Sequence, residues 1–302
     1  MTKEKIGFVG VGLMGHGMAS NIVGKGWPLT VLGHRNRKPV EYLKKRGAAE
    51  AKNARELAEN SDIVFLCVTG SPDVEAIVNG PEGLASAGKP LLIVDCSTSD
   101  PSSTLRLAGE LADRNITLID APLSRTPKEA AEGNLDVMVG GEDKVVARAR
   151  PIIDCFAGRV IHTGPTGSGH AMKLLNNFIA MGYAAIYSEA LTLAAKAGLT
   201  PEVFDAVIRG GRMDCPFYQT FFKYVLERDR DAHKFALRNA LKDMNYLAAF
   251  AQASDVANPV GASVRNSYAS AVAQGRGDDY MPMLSDVIAE QNGVKLGAGA
   301  KG

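Results

Sequence analysis

Short apolar runs, bounded by glycine, proline or polar residues, punctuate the first half of this chain. Seven of them, at 6–9, 29–32, 63–68, 91–95, 116–120, 136–139 and 160–162, read as strands. Between several of these lie segments with helical spacing of apolar positions, at 13–24, 39–46, 54–60, 101–114 and 144–156. Strand–helix alternation predicts a parallel sheet with helices on both faces. The pattern then changes. Residues 167–198 form one proline-free stretch rich in Ala, Leu and Met, and only helical segments follow, at 201–208, 216–226, 234–253, 259–274 and 281–292. The prediction is an α/β half at 1–165 and an all-α half at 166–302, joined by one long helix. The break falls at Gly164-Pro165-Thr166-Gly167-Ser168-Gly169.

The first strand runs directly into Gly10-Val11-Gly12-Leu13-Met14-Gly15. In a strand–turn–helix of this kind the first glycine permits the tight turn and the second lets backbone approach a pyrophosphate. The third lets the helix pack close to the strand, and the helix N-terminus offers N–H donors and partial positive charge. The α/β half is thus a Rossmann dinucleotide-binding domain, with Gly10, Gly12, Leu13, Met14 and Gly15 assigned to the cofactor. In NAD-binding units a carboxylate usually ends the second strand and receives the ribose hydroxyls. Here Leu32 is followed by Gly33-His34-Arg35-Asn36-Arg37, with two guanidiniums and no acid. Arginine suits a 2′-phosphate, so NADP(H) is favoured with NAD(H) as the second option. The alternative is that Arg35 and Arg37 only solvate a helix start.

Bulk composition narrows the picture further. A chain of 302 residues, 46% hydrophobic and with net charge +1, predicts two folded domains and no nucleic-acid partner. Cys67, Cys96, Cys155 and Cys215 are widely spaced, which predicts reduced thiols, a cytoplasmic location and no zinc framework. No signal peptide and no membrane-spanning apolar run is expected, and residues 297–302 read as a frayed tail. His16, His34, His162, His170 and His233 lack ligand spacing, so no metal is predicted.

Three segments carry candidate chemistry. At the end of the 91–95 strand, Asp95-Cys96-Ser97-Thr98-Ser99 places hydroxyls where the nicotinamide end of a dinucleotide lies, or caps the helix starting at Pro101. Ser97 and Thr98, with Val68 and Thr69, are assigned to the cofactor. Asp120-Ala121-Pro122-Leu123-Ser124-Arg125-Thr126-Pro127 combines hydroxyls and a guanidinium after a strand end, the make-up of an anion site or of a proline-stiffened loop. Lys173 opens the long helix with Asn176 and Asn177; Lys173 and Asn177 are four apart and share a face. A cation among Met172, Leu174 and Leu175 meets the conditions for a lysine acid–base, although a snorkelling lysine is the commoner outcome. His170, one turn earlier, either tunes Lys173 or is an inert helix-start residue, the second being the commoner case.

Together these segments resemble the β-hydroxyacid dehydrogenase family over essentially the whole chain. Gly7 through Gly15, continuing to Met18, Ala19 and Asn21, is similar to its cofactor motif, and Asp120 through Ser124 to its substrate motif. Gly164 through Gly169 with Lys173 and Asn177 resembles its catalytic motif, and Lys242-Asp243-Met244 its late lysine motif. The resemblance implies hydride transfer between a nicotinamide and a small anionic hydroxy acid or aldehyde acid. It implies Lys173 as general acid–base, and Ser124, Arg125, Thr126, Asn177 and Lys242 at the substrate, Lys242 also meeting the cofactor. A homodimer or homotetramer is implied too. After Ser124, the family's usual two glycines are replaced by Arg125-Thr126-Pro127. That loop and Gly275-Arg276-Gly277-Asp278-Asp279 resemble the sulfolactaldehyde reductase branch, which typically carries the acid after the second strand that this chain lacks. The other readings of the same fold are an imine or other carbonyl reductase and a non-catalytic dinucleotide-binding module.

Overall fold

The computed structural model describes residues 3–296, so the tail expected at 297–302 lies outside the described residues. Two units divide inside one helix, between Lys173 and Leu174. The strands of the first unit are β1 (Ile6–Val9), β2 (Leu29–Leu32), β3 (Ala49–Ala51), β4 (Ile63–Leu66), β5 (Leu91–Asp95), β6 (Ile116–Asp120), β7 (Leu123–Ser124), β8 (Leu135–Gly140) and β9 (Ala157–Gly164). Its helices are α1 (Gly15–Gly24), α2 (Lys38–Lys45), α3 (Ala54–Glu59), α4 (Ser71–Asn79), α5 (Pro101–Ala112), α6 (Pro127–Glu132) and α7 (Asp143–Ile153). The start of α8 (Ser168–Lys196) completes it.

Strand order runs β3-β2-β1-β4-β5-β6, all parallel, so the chain reverses its direction of growth between β1 and β4. Ligands of such sheets bind outside the carboxyl ends of the strands at that reversal. Beyond β6 the sheet is not purely parallel: β8 joins β6 antiparallel, β7 pairs antiparallel with β8, and β9 pairs parallel with β8. Both faces of the central strands are buried, as alternation requires. Ile63 and Phe65 of β4 pack with Ile6, Phe8, Val31, Val94 and Phe156 on one side. Val64 and Leu66 pack with Val9, Ile93, Leu107 and Leu118 on the other. Neither face can meet water, and helices cover both.

The close packing around β1 explains its glycines. A Cβ on Gly10, whose φ is +93°, would fall 2.2 Å from the Cys67 carbonyl oxygen, and one on Gly15 would fall 2.0 Å from that of Gly10. Further along α1, the Asn21 amide donates to the carbonyls of Gly17, Ala130 and Ala131, latching α6 onto α1. This holds the loop after β7 in place.

The second unit is helical: the remainder of α8, then α9 (Pro201–Ile208), α10 (Pro216–Glu227), α11 (Leu237–Ala253), α12 (Pro259–Ala273) and α13 (Leu284–Gln291). Its core gathers Leu174, Met181, Tyr218, Phe221, Phe222, Met244, Tyr268, Leu284 and Val287. By length and composition α8 is sufficient to cross a membrane, with mean hydropathy 1.3 over its best window. Its apolar residues are interrupted by Lys173, Asn176, Asn177, Ser188 and Glu189. Its Leu174, Met181, Ala184, Ala185 and Leu191 are core residues of this unit. On its outer face Leu175, Ile179, Tyr183, Ile186 and Leu193 form an exposed apolar stripe.

Candidate active site

Around the glycine turn the structure fits a dinucleotide phosphate. A side chain on Gly12 would meet nothing within 4 Å, so the backbone there is open to a ligand. The first turn of α1 carries no acidic residue, and Met14 supplies no side-chain cap. Its leading N–H groups and the positive end of the helix dipole therefore suit an anion. At the neighbouring strand ends, the Ser97 hydroxyl accepts the Val68 N–H at 3.0 Å, joining the ends of β4 and β5. Thr98 is half-buried beside it and Thr69 is exposed. The helix at Pro101 is capped by Asp100, which accepts the Ser102 N–H, so the alternative cap at Ser97–Ser99 is not the one used.

The segment after β2 is exposed from His34 to Arg37, including Asn36. Arg37 is already engaged, at 2.7 Å from Glu50 and 3.2 Å from Glu41. Glu50, then Glu41, raises the Arg37 guanidinium above its ordinary value, and Arg37 in turn lowers the Glu50 carboxyl. Glu50 lies on β3 opposite Val31, a carboxylate beside the end of β2 that the local sequence did not reveal.

Four carboxylates orient the remaining candidate groups. Asp120, fully buried at the end of β6, accepts the N–H of Gly167 at 2.6 Å through one oxygen and that of His170 at 2.7 Å through the other. It caps α8, the helix that carries half-buried Lys173. Asp95 accepts the Ser97 N–H and the Ser99 hydroxyl, each at 2.9 Å. His170 is itself completely buried, with Nδ1 2.8 Å from the Thr104 hydroxyl and Nε2 3.7 Å from Asp95. The surroundings expected of Lys173 are only partly met, since Leu174 is buried but Met172 and Leu175 face outward.

At the loop after β7, Ser124 pairs across the sheet with Asp136, and its buried Oγ has no hydrogen-bond partner. Arg125 adopts a φ of +86° and places its Nε 3.1 Å from Asp136. A non-glycine residue in that region carries strain of about 1–3 kcal/mol, which recurs at functional sites. Thr126 caps α6 in a capping box with Glu129, a pattern readable in Thr126-x-x-Glu129. In the second unit, Asp243 is buried on α11 and holds two candidates at once. It accepts the Asn177 amide at 2.7 Å and pairs with Lys242 at 2.8 Å, while the Lys242 ammonium lies over Tyr246. Asp95 and Asp243 stood within segments read as chemical, but nothing local indicated their orienting roles.

Residues 5–164 match a family described as the NAD binding domain of 6-phosphogluconate dehydrogenase. Residues 167–286 match one described as NAD-binding of NADP-dependent 3-hydroxyisobutyrate dehydrogenase. The chain is 34% identical over 286 residues to 3-hydroxyisobutyrate dehydrogenase of Pseudomonas aeruginosa, covering 91% of this chain and 95% of that one. The chain belongs to the β-hydroxyacid dehydrogenase family. This β-hydroxyacid dehydrogenase is also 31% identical to 2-(hydroxymethyl)glutarate dehydrogenase of Eubacterium barkeri, over 98% of each chain. A solved 3-hydroxyisobutyrate dehydrogenase of Mycobacterium tuberculosis superposes with a TM-score of 0.84 at 25% identity, over 95% of this chain and 99% of the other. As a β-hydroxyacid dehydrogenase the protein is an NAD(P)-dependent oxidoreductase.

The buried cap on α8 makes a pH-dependent prediction. Burial raises the Asp120 carboxyl above its ordinary 3.8, against the opposing effects of His170 and the two N–H donors. With its folded value raised, this group's stabilisation is fully present below the unfolded pKa and lost as pH rises through the folded one. Relative to Asp120→Asn, the parent therefore gains stability as pH falls from neutrality towards about 4. Urea unfolding of the pair across that range measures the difference. A gap that is constant, or moves the other way, contradicts the raised carboxyl.

Proposed function

We propose that this enzyme interconverts a small 3-hydroxy acid and its aldehyde acid, with Lys173 as the general acid–base. The observation that carries the substrate class is the pairing of a buried, unpartnered Ser124 hydroxyl with the adjacent Arg125 guanidinium, held on strained backbone by Asp136. A hydroxyl donor and a planar cation on successive residues are the chemistry that holds a carboxylate or sulfonate. Thr126 contributes by fixing the start of α6 behind them.

In reduction the Lys173 ammonium donates its proton to the developing alkoxide; in oxidation the neutral amine removes it from the hydroxyl, one residue serving both directions. When bound, the dinucleotide gives or takes up the hydride. Asn177 hydrogen-bonds the substrate, and Asp243, which takes its amide N–H at 2.7 Å, fixes the orientation of that amide. Lys242, paired with the same carboxylate, supplies a second cation for substrate and cofactor. Lys173→Ala should lower turnover at least about a hundredfold while dinucleotide binding persists. Initial rates with 3-hydroxyisobutyrate, glycerate, serine, 4-hydroxybutyrate and sulfopropanediol test both the substrate class and the lysine. Near-parent turnover in the variant rejects the assignment.

NADP(H) is our preferred cofactor. With Arg37 committed to Glu50 and Glu41, Arg35 is the better candidate for a 2′-phosphate, with His34 and Asn36 beside it. A charge-assisted bond of about 1.5–3 kcal/mol implies that Arg35→Ala reduces the NADPH-over-NADH affinity ratio by about tenfold or more. Tighter NADH binding by the parent overturns the preference.

The apolar stripe on α8 supports self-association into a dimer or tetramer. A continuous exposed row of Leu175, Ile179, Tyr183, Ile186 and Leu193 is costly in water and matches a like surface on a second copy. Light scattering of the parent should give a multiple of the 32.0 kDa chain, and Ile186→Glu with Leu193→Glu should shift it towards the monomer. A monomeric parent contradicts this.

A further inference from the structure

We propose that His170 is a positioning residue: its buried ring ties the first turn of α8 to Thr104 of α5, between the carboxylates that end β5 and β6, and so fixes where Lys173 stands. The inference rests on Lys173 being the acid–base. His170 reaches three elements at once. Its backbone N–H donates to Asp120 of β6 at 2.7 Å, and its Nδ1 meets the Thr104 hydroxyl of α5 at 2.8 Å. Its Nε2 stands 3.7 Å from Asp95 of β5, without a hydrogen-bond partner of its own.

An imidazole that only filled space would not need this company. All three acidic or hydroxyl partners are buried at the level of a few per cent exposure or less, and His170 at 0%. Burying a polar ring between two carboxylates is costly unless the geometry is specific. The backbone around it is equally committed: a Cβ on Gly169 would fall 2.5 Å from the Met138 carbonyl oxygen and 2.8 Å from Asp120. The turn therefore has little room to shift.

Lys173 follows three residues later on the same helix, about 4.5 Å further along its axis. One turn of α-helix is stiff, so rotation or translation imposed at His170 passes to Lys173. A misplacement of about 1 Å in a reacting group costs up to about a hundredfold in rate. His170 touches no reacting atom in this account; its effect runs through the lysine.

The test compares His170→Leu, His170→Asn and Thr104→Val with the parent, measuring kcat, KM, dinucleotide affinity and thermal unfolding. His170→Leu should lower kcat about tenfold, leaving KM and dinucleotide affinity within about twofold. His170→Asn keeps a polar atom near the place of Nδ1 and should recover most of that loss, which a simple packing role would not produce. Parent-like kcat in His170→Leu overturns the proposal, as does an equal loss in the Leu and Asn variants. Should His170→Leu fail to fold, Thr104→Val decides: kcat lowered about threefold at unchanged KM supports the role, and parent-like kcat overturns it. An inactive Lys173→Ala alongside a fully active His170→Leu removes only the positioning role, whereas an active Lys173→Ala removes the lysine reading itself.

Discussion

A single buried carboxylate ties the sheet to the helix that bears Lys173. Asp120 spends both oxygens on N–H groups of the α8 start, Gly167 through one and His170 through the other. Two donors that a helix N-terminus leaves without internal partners are thereby satisfied in a place water cannot reach. The positive end of the helix dipole offsets part of the cost of the buried charge. The carboxylate also accounts for glycine at two positions: a Cβ on Gly140 would lie 2.6 Å from one oxygen, and one on Gly169 would lie 2.8 Å from the other. The chain thus reaches α8 with its direction already set by β6 and β8.

The same device recurs wherever a candidate functional group must be held still. Asp136 takes the Nε of Arg125, Asp95 takes Ser97 and Ser99, and Asp243 takes Asn177 together with Lys242. In each case one face of a polar group is occupied by an acid, which selects the face available to a ligand. Pre-orientation of this kind lowers the cost of ordering side chains when a small anion binds. Arg37 shows the converse. Glu50 and Glu41 already flank its guanidinium at the start of α2.

The glycine turn, the strand–helix alternation and the late helices were legible in the sequence because local spacing encodes them. Elements that depend on partners were not. β7 has only two residues and exists through its pairing with β8, and β3 is the short, polar-centred Ala49-Glu50-Ala51. α6 was missed although Thr126-x-x-Glu129 announces its cap. Among site residues, Lys173 and Arg125 stood out by type and context, whereas the contact of Asp243 with Asn177 and those of His170 come from residues far away in the chain. For His170 these are Asp95, Thr104 and Asp120, brought together by three elements. No local pattern around His170 announces these contacts.

Crystallography of the enzyme with bound dinucleotide and a small 3-hydroxy acid tests the central claim most directly. The account requires Lys173 Nζ within about 3 Å of the reacting hydroxyl, with the Asp120 clamp on Gly167 and His170 intact. A lysine turned away from that hydroxyl, with the clamp unchanged, contradicts it.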